Sequence, residues 1–279
     1  MKKLLVLTDF SANAAHAESA ALRLSSKMSA DLVLYHTFSY VPMALSNIEG
    51  PLVTPDMYYA DSMENLQKGA NRLNELCATI AGCKTHIECK TGDGGLAENV
   101  RELTAGNEMS MVIMGGRTGG TIDHLLTGSD TAAVIRKSRK PVCIIPSAAQ
   151  LGIPKKVVFA TNFEMSDLPA VDFLLDLGKD LDFELQIVHI LRPGEAATAI
   201  GAEMAFRKFL LHRGLTCKQV FREAVQPALQ HYCADEKVDL LALSHQHHSL
   251  VARLFGHSES KAVIAQQQLP VIIFPPDYK

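Results

Sequence analysis

The chain has no excess of positive charge. Lys and Arg number 27 against 30 Asp and Glu, a net charge of -3 over 279 residues. Neutralising nucleic-acid phosphates needs clustered Lys and Arg, so this balance argues against a nucleic-acid partner. No apolar run exceeds strand length, so no membrane-spanning helix is expected. Met1-Lys2-Lys3 leads into an apolar run as a secretory signal would, but Asp9 ends that run after five residues. The expected location is therefore cytoplasmic. Six cysteines are scattered at Cys77, Cys83, Cys89, Cys143, Cys217 and Cys233, with no CxxC or metal-finger spacing. Cys77 on a helical stripe and Cys143 in an apolar strand read as small core residues, with Cys83 and Cys89 more exposed. The sequence also lacks a GxSxG elbow, a GxxxxGK[ST] loop and an HExxH pair, and it has no GxGxxG after its first strand. Those absences argue against the hydrolases, P-loop enzymes, zinc proteases and nicotinamide dehydrogenases that use them.

What is present is a repeat. Lys3-Leu4-Leu5-Val6-Leu7-Thr8-Asp9-Phe10-Ser11 returns as Lys156-Val157-Val158-Phe159-Ala160-Thr161-Asn162-Phe163-Glu164. Asp9 and Asn162 lie 153 positions apart, and so do His36 and His189. Met111-Val112-Ile113-Met114 pairs with Leu240-Leu241-Ala242-Leu243, and Pro141 to Pro146 pairs with Pro270 to Pro275, both at an offset of 129. Two copies of one unit, residues 1–148 and 155–279, therefore make the chain, and the first has the longer middle.

Each copy alternates short apolar runs with helical stripes. Residues 4–8 are apolar without alternation, as a parallel strand covered on both faces should be. Ser11 offers an N-cap to a helix striped by Ala14, Ala17, Ala21, Leu24 and Met28. Strands are expected at 32–36, 86–89, 111–114 and 142–145, with helices after residue 62, over 95–105 and from Ser129. Residues 39–60, with Pro42, Pro51 and Pro55, read as a long loop that could cover a site or a partner. After a linker at 147–154, strands are expected at 156–160, 185–189, 217–221, 239–243 and 271–274. The intervening helices fall at 167–180, 196–212, 224–235 and 258–268. This order predicts an α/β protein with two tandem, doubly wound, five-stranded and mostly parallel sheets, helices on both faces.

Ligands in such sheets bind at the carboxyl ends of the strands. In the first copy those ends carry Thr8, Asp9, Thr37 and the loop Gly115-Gly116-Arg117-Thr118-Gly119-Gly120, which leads to Gly128-Ser129-Asp130 at a helix start. Small residues let backbone approach a phosphate, and the free N–H groups of a helix start favour an anion. The alternative is that the glycines only serve turns and Ser129 only caps. In the second copy Asn162 replaces Asp9, and Ser244-His245-Gln246-His247 replaces Gly115 to Thr118. His257-Ser258 likewise replaces Gly128-Ser129. Imidazoles there fill the space a phosphate would need. His245, His247, His248 and His257 could also hold a metal, but no carboxylate or thiolate stands with them, and exposed loop histidines are the simpler reading. His36 and His189 read as packed or hydrogen-bonded.

The Thr-Asp-Phe-Ser strand exit, the His-ended second strand, the Met-Gly strand exit and the Gly-Ser helix start resemble the universal stress proteins, nearly over the whole chain as a tandem pair. The resemblance implies an adenine nucleotide alpha hydrolase-like fold. It implies ATP or AMP, with or without Mg²⁺, near Asp9 and Thr37 at the adenine and ribose, and near Gly115, Gly128 and Ser129 at the phosphates. The family's Gly, two residues, Gly, nine residues, Gly, Ser/Thr pattern is imperfect here, because Thr118 stands at its second glycine. It also implies packing of the copies as an intrachain pseudo-dimer through Val142–Ile145 and Val271–Phe274, and a possible homodimer. The function expected is a stress-response regulator that binds a nucleotide in the first copy. The alternatives are a protein-binding scaffold without nucleotide, and a weak ATPase or nucleotide-dependent transferase with Asp123 and His124 as the nearest candidate groups.

Overall fold

The computed structural model describes residues 2–39, 54–116, 129–150, 152–191, 200–222, 224–245, 269–276 and 278–279. The first strand, β1, is Lys3–Leu7, and helix α1 (Ala12–Met28) follows it. Ser11 caps α1, its side chain accepting a hydrogen bond from the Ala14 N–H at 3.2 Å. The whole expected stripe, Ala14, Ala17, Ala21, Leu24 and Met28, is buried. Strand β2 is Asp31–Phe38. Helix α2 then spans Pro55–Thr79. The expected 39–60 loop is thus shorter at its far end. Pro55 occupies the first turn of the helix, where its missing N–H costs nothing, so it starts this helix rather than breaking it. Residues 40–53 lie outside the described residues.

The first half continues with β3 (Ile87–Asp93), α3 (Leu96–Leu103), β4 (Met109–Gly115), α4 (Ser129–Lys137) and β5 (Val142–Ile145). The second half runs β6 (Lys156–Ala160), a 3₁₀ turn (Met165–Asp167), α5 (Leu168–Leu181), β7 (Glu184–Leu191) and α6 (Ile200–His212). It ends with β8 (Cys217–Phe221), α7 (Val225–Asp235), β9 (Leu240–Ser244) and β10 (Val271–Phe274). The helix expected at 258–268 falls outside the described residues.

The strands form one sheet in the order β3-β2-β1-β4-β5-β10-β9-β6-β7-β8. Each half contributes five parallel strands in the same internal order, and the two sets are joined edge to edge. The joint is antiparallel, with Val271 opposite Ile144, Ile272 opposite Cys143 and Ile273 opposite Val142.

Two apolar layers flank the sheet. Leu4 and Val6 belong to one, with α1, α2 and α5, while Leu5 and Leu7 belong to the other, with α3 and α7. The same split runs through β4 and β5, which is why these strands carry no polar alternation. Fully burying each such Leu or Val is worth about 1.5–3 kcal/mol. Within the second half, Phe274 of β10 meets Phe159 and Phe173 edge-on, and Tyr278 packs on Phe173 and Phe274. Burial pushes the Tyr278 hydroxyl up to about 12, with a smaller contribution from the charge of Asp176.

One cysteine reading is corrected. Cys77 is not a free core residue but forms a disulfide with Cys83, their Cα atoms 5.5 Å apart. The turn that ends α2, with Gly82 at φ 76, folds the chain back and brings them into bridging range. Sequence spacing alone carries no such information. Cys143 and Cys233 are buried free thiols, and desolvation pushes each up to about 12.

Candidate functional site

β1 and β4 are neighbours, yet β1 feeds α1 on one face of the sheet and β4 feeds toward α4 on the other. The chain therefore splits at their carboxyl ends and leaves a crevice there. Leu7 lies opposite Met114 on one side and Tyr35 on the other, so Thr8 stands level with Gly115 and His36. Asp9 follows Thr8 beyond the end of β1, and Thr37 follows His36 near the end of β2.

The turn after β1 is built by its own side chains. Thr8 donates its backbone N–H to the Tyr35 carbonyl at 2.9 Å, and its hydroxyl accepts the Phe10 N–H at 3.1 Å. Asp9 Oδ1 accepts the Ser11 N–H at 3.0 Å. Between them Phe10 is held at φ 63, in the left-handed region that a bulky residue seldom adopts. Its ring lies 4.4 Å from the His36 ring and is 40% exposed. His36 Nδ1 sits 2.8 Å from the Thr8 carbonyl, which can only accept. Nδ1 therefore carries a proton and donates it to that carbonyl. The carboxylate of Asp9 is exposed at the mouth of this turn.

Gly115 has a packing reason. A Cβ there would stand 2.8 Å from the Asn13 carbonyl oxygen and 3.1 Å from the Ala14 nitrogen. Only glycine lets β4 end against the first turn of α1. Gly116 donates its N–H to the Ile145 carbonyl at 2.8 Å. Ser129 opens α4 as expected, and Asp130 is exposed in its first turn. Thr118, Asp123, His124 and Gly128 lie outside the described residues. The structure thus brings Thr8, Asp9 and Gly115 together, with Thr37 one strand away. Sequence reasoning missed Phe10. Its signal was its return as Phe163 inside the duplicated strand exit.

A second fixed point borders this half at the sheet edge. Tyr35 Oη donates to Asn99 Oδ1 at 2.8 Å, and Asn99 donates on to the Asp93 and Gly95 carbonyls at 2.9 and 3.1 Å. The Tyr35 hydroxyl lies over Gly92, where a Cβ would come within 2.1 Å of it. Burial pushes that hydroxyl up to about 12, with the charge of Glu102 adding to it.

The second half repeats the turn and then covers it. Phe163 also sits at φ 63, with His189 4.4 Å from its ring and His189 Nδ1 donating to the Thr161 carbonyl at 2.7 Å. Here Phe163 is only 3% exposed. Phe206 of α6 lies against it at 5.8 Å, and the Arg207 guanidinium stands 5.1 Å over its ring. Arg207 is held by Glu203 at 2.8 Å, which also accepts from Gln219 at 3.0 Å. Below, Thr161 donates to the fully buried Asp167 at 2.6 Å. The equivalent of Asp167 in the first half is Ala14, one repeat offset away. Buried Ser244 takes the place of Gly115, and His245 makes the backbone bond to Phe274 that Gly116 makes to Ile145. His247, His248 and His257 lie outside the described residues. Among the described residues no three His, Cys, Asp or Glu side chains cluster to hold a metal.

Among the described residues no helix is long and apolar enough to cross a membrane. The sequence model of the universal stress protein family matches residues 1–146. The fold is similar to that of a universal stress protein from Archaeoglobus fulgidus DSM 4304, at 17% identity, covering 98% of both chains with a TM-score of 0.68. It is also similar to a functionally unknown protein from Pseudomonas aeruginosa PAO1, at 11% identity, covering 99% of this chain and 92% of that one with a TM-score of 0.56. At these identities the likeness is one of fold. No curated protein matches the sequence.

Proposed function

The chain belongs to the universal stress protein family, and from that premise we propose that it is a stress-response regulator that binds ATP or AMP in its first half. The observation that carries this reading is the contrast between the two strand-end crevices. In the first half Asp9 and Phe10 are exposed at the split between β1 and β4. In the second half the same place is filled by Phe163, Phe206 and Arg207. The residues of the open crevice suit a nucleotide. Asp9 offers a carboxylate acceptor to an adenine amine or a ribose hydroxyl, and Thr37 lies near the end of the neighbouring strand β2. Ser129 begins a nine-residue helix whose free N–H groups would face a phosphate. Thr8, Gly115, Thr118, Gly128 and Asp130 complete the proposed set. Mg²⁺ entering with ATP would be held mainly by the phosphates themselves.

The same reading divides the chain into domains at 1–148 and 155–279, packed as an intrachain pseudo-dimer. The antiparallel β5–β10 pairing supports it. The second domain would not bind nucleotide in the same way, because its own side chains take the space. The test is mass spectrometry of nucleotide released by acid from the purified full-length chain, scored as moles per chain. About one mole of ATP or AMP per chain is expected. No nucleotide, together with no thermal shift on adding ATP, would overturn the reading in favour of a protein-binding module.

A further inference from the structure

Away from the crevice, a cavity of about 640 Å³ opens at the seam between the two halves. It shares no lining residue with Thr8, Asp9, Thr37 or Gly115. Its interior walls are apolar: Leu24 from α1, Met111 and Cys143 from the first half's strands, Leu177 and Leu181 from α5, and Ile272 from β10. These belong to the layer in which α1 and α5 cover the sheet, while Cys233 and Val238, at the end of α7, line the space from the opposite layer, so it lies at the joint between the halves with walls from both faces. Its volume falls within the usual range of small-molecule sites, roughly 300–1,000 Å³. An apolar space of this size is poor for water, which needs several polar partners.

The lip is different in character. Lys155, Lys237 and His231 border it, with Asp239 as the acidic neighbour. Asp239 Oδ2 already accepts the backbone N–H groups of Lys155 and Lys156, at 2.8 and 2.9 Å. Among the described residues the Lys155 ammonium group makes one ion pair, a long and exposed contact with Asp182 at 3.9 Å. Lys237 is fixed at φ 53 in the turn that closes α7, its backbone N–H donating to the Ala234 carbonyl at 3.2 Å. Two ammonium groups on a rim above an apolar interior suit one chemistry, an anionic head on a hydrocarbon tail. Burial keeps the Cys143 thiol protonated, so the interior wall adds no opposing charge.

We propose that the seam cavity binds a fatty acid, its alkyl chain between α1 and α5 and its carboxylate at Lys155 and Lys237. Each methylene transferred from water to such a wall is favourable, and the ammonium groups add charge-assisted hydrogen bonds to the head. Occupancy would fill the joint between the halves, so the ligand would stabilise their relative placement. The site stands independently of nucleotide binding.

The test uses the full-length protein and the fluorescent fatty acid cis-parinaric acid, with dodecanoic acid and dodecanol as competitors. Saturable binding displaced by dodecanoic acid is expected. Leu24→Trp, which fills the cavity, should weaken binding by at least about tenfold, a change of about 1.4 kcal/mol. The exposed pair Lys155→Glu with Lys237→Glu, which leaves the core untouched, should weaken dodecanoic acid by about the same factor and leave dodecanol unchanged. Absence of saturable binding would overturn the proposal. So would binding that ignores Leu24→Trp in a variant with unchanged circular dichroism, or a charge reversal that affects acid and alcohol equally.

Discussion

The two halves make the same turn and end it differently. Thr8-Asp9-Phe10 and Thr161-Asn162-Phe163 share a hydroxyl that accepts the N–H two residues on, a phenylalanine at φ 63, and a histidine ring tilted against it. In the first half that phenylalanine meets solvent, and in the second it lies under Phe206 and Arg207. A duplicated strained turn is therefore not itself a binding site. Whether it serves a ligand or the core depends on what the neighbouring helix lays over it. The strain is retained in both copies because the local hydrogen bonds hold it.

The largest effect should come from the cover. Phe206→Ala removes a fully buried ring and should cost about 3–5 kcal/mol in urea denaturation. The matched pair Phe163→Gly and Phe10→Gly sharpens the contrast. Glycine relieves the positive φ in both, so the first should still lose several kcal/mol of ring burial while the second changes stability by about 1 kcal/mol or less. Equal losses at both positions would erase the distinction between an open and a filled crevice.

Nucleotide should divide the halves next. ATP at about one hundred times its dissociation constant should stabilise the protein by about 2.7 kcal/mol, read as a rise in melting temperature. Asp9→Ala should abolish that rise and Asn162→Ala should leave it intact. A loss in both variants would show that the second half takes part.

The disulfide is a further asymmetry. Cys77–Cys83 closes a short loop at the end of α2, whereas Cys217 and Cys233 are free. Reduction should cost about 2 kcal/mol by loop entropy, and Cys77→Ser should make stability indifferent to dithiothreitol. Alkylation of six rather than four cysteines in the unfolded, unreduced chain would remove the bond from the comparison.

The smallest effect is alkaline. Tyr35 in the first half and Tyr278 in the second both have hydroxyls raised from 10.0 to about 12 by burial. A raised folded value stabilises the protonated form. That contribution is complete below pH 10 and is lost as pH rises from about 10 through 12. Tyr35→Phe and Tyr278→Phe should each flatten the decline in that window, measured as urea midpoint against pH. A variant that declined as steeply as the parent would clear its tyrosine of the effect.

The fold was legible because its signals are local. Unbroken apolar runs such as Leu4 to Leu7 meant strands buried on both faces, and the recurring offsets of 153 and then 129 residues meant two copies of one unit. Ser11 was readable as a cap because the cap is a contact three residues long. The start of α2 was not, since a proline reads alike in a loop and in the first turn of a helix. Asp9, Thr37 and Gly115 were found as strand-end residues, but the reason for Gly115 came only with the Asn13 backbone pressed against it. The sequence by itself determined the α/β order, the duplication and the strand-end candidates, all of which follow from periodicity and spacing. Only the tertiary structure decided that β5 and β10 pair antiparallel, that Cys77 meets Cys83, and that Phe206 covers Phe163 in one half while Phe10 is exposed in the other. Those outcomes depend on distances between residues far apart in the chain, set by the packing of helices on a sheet.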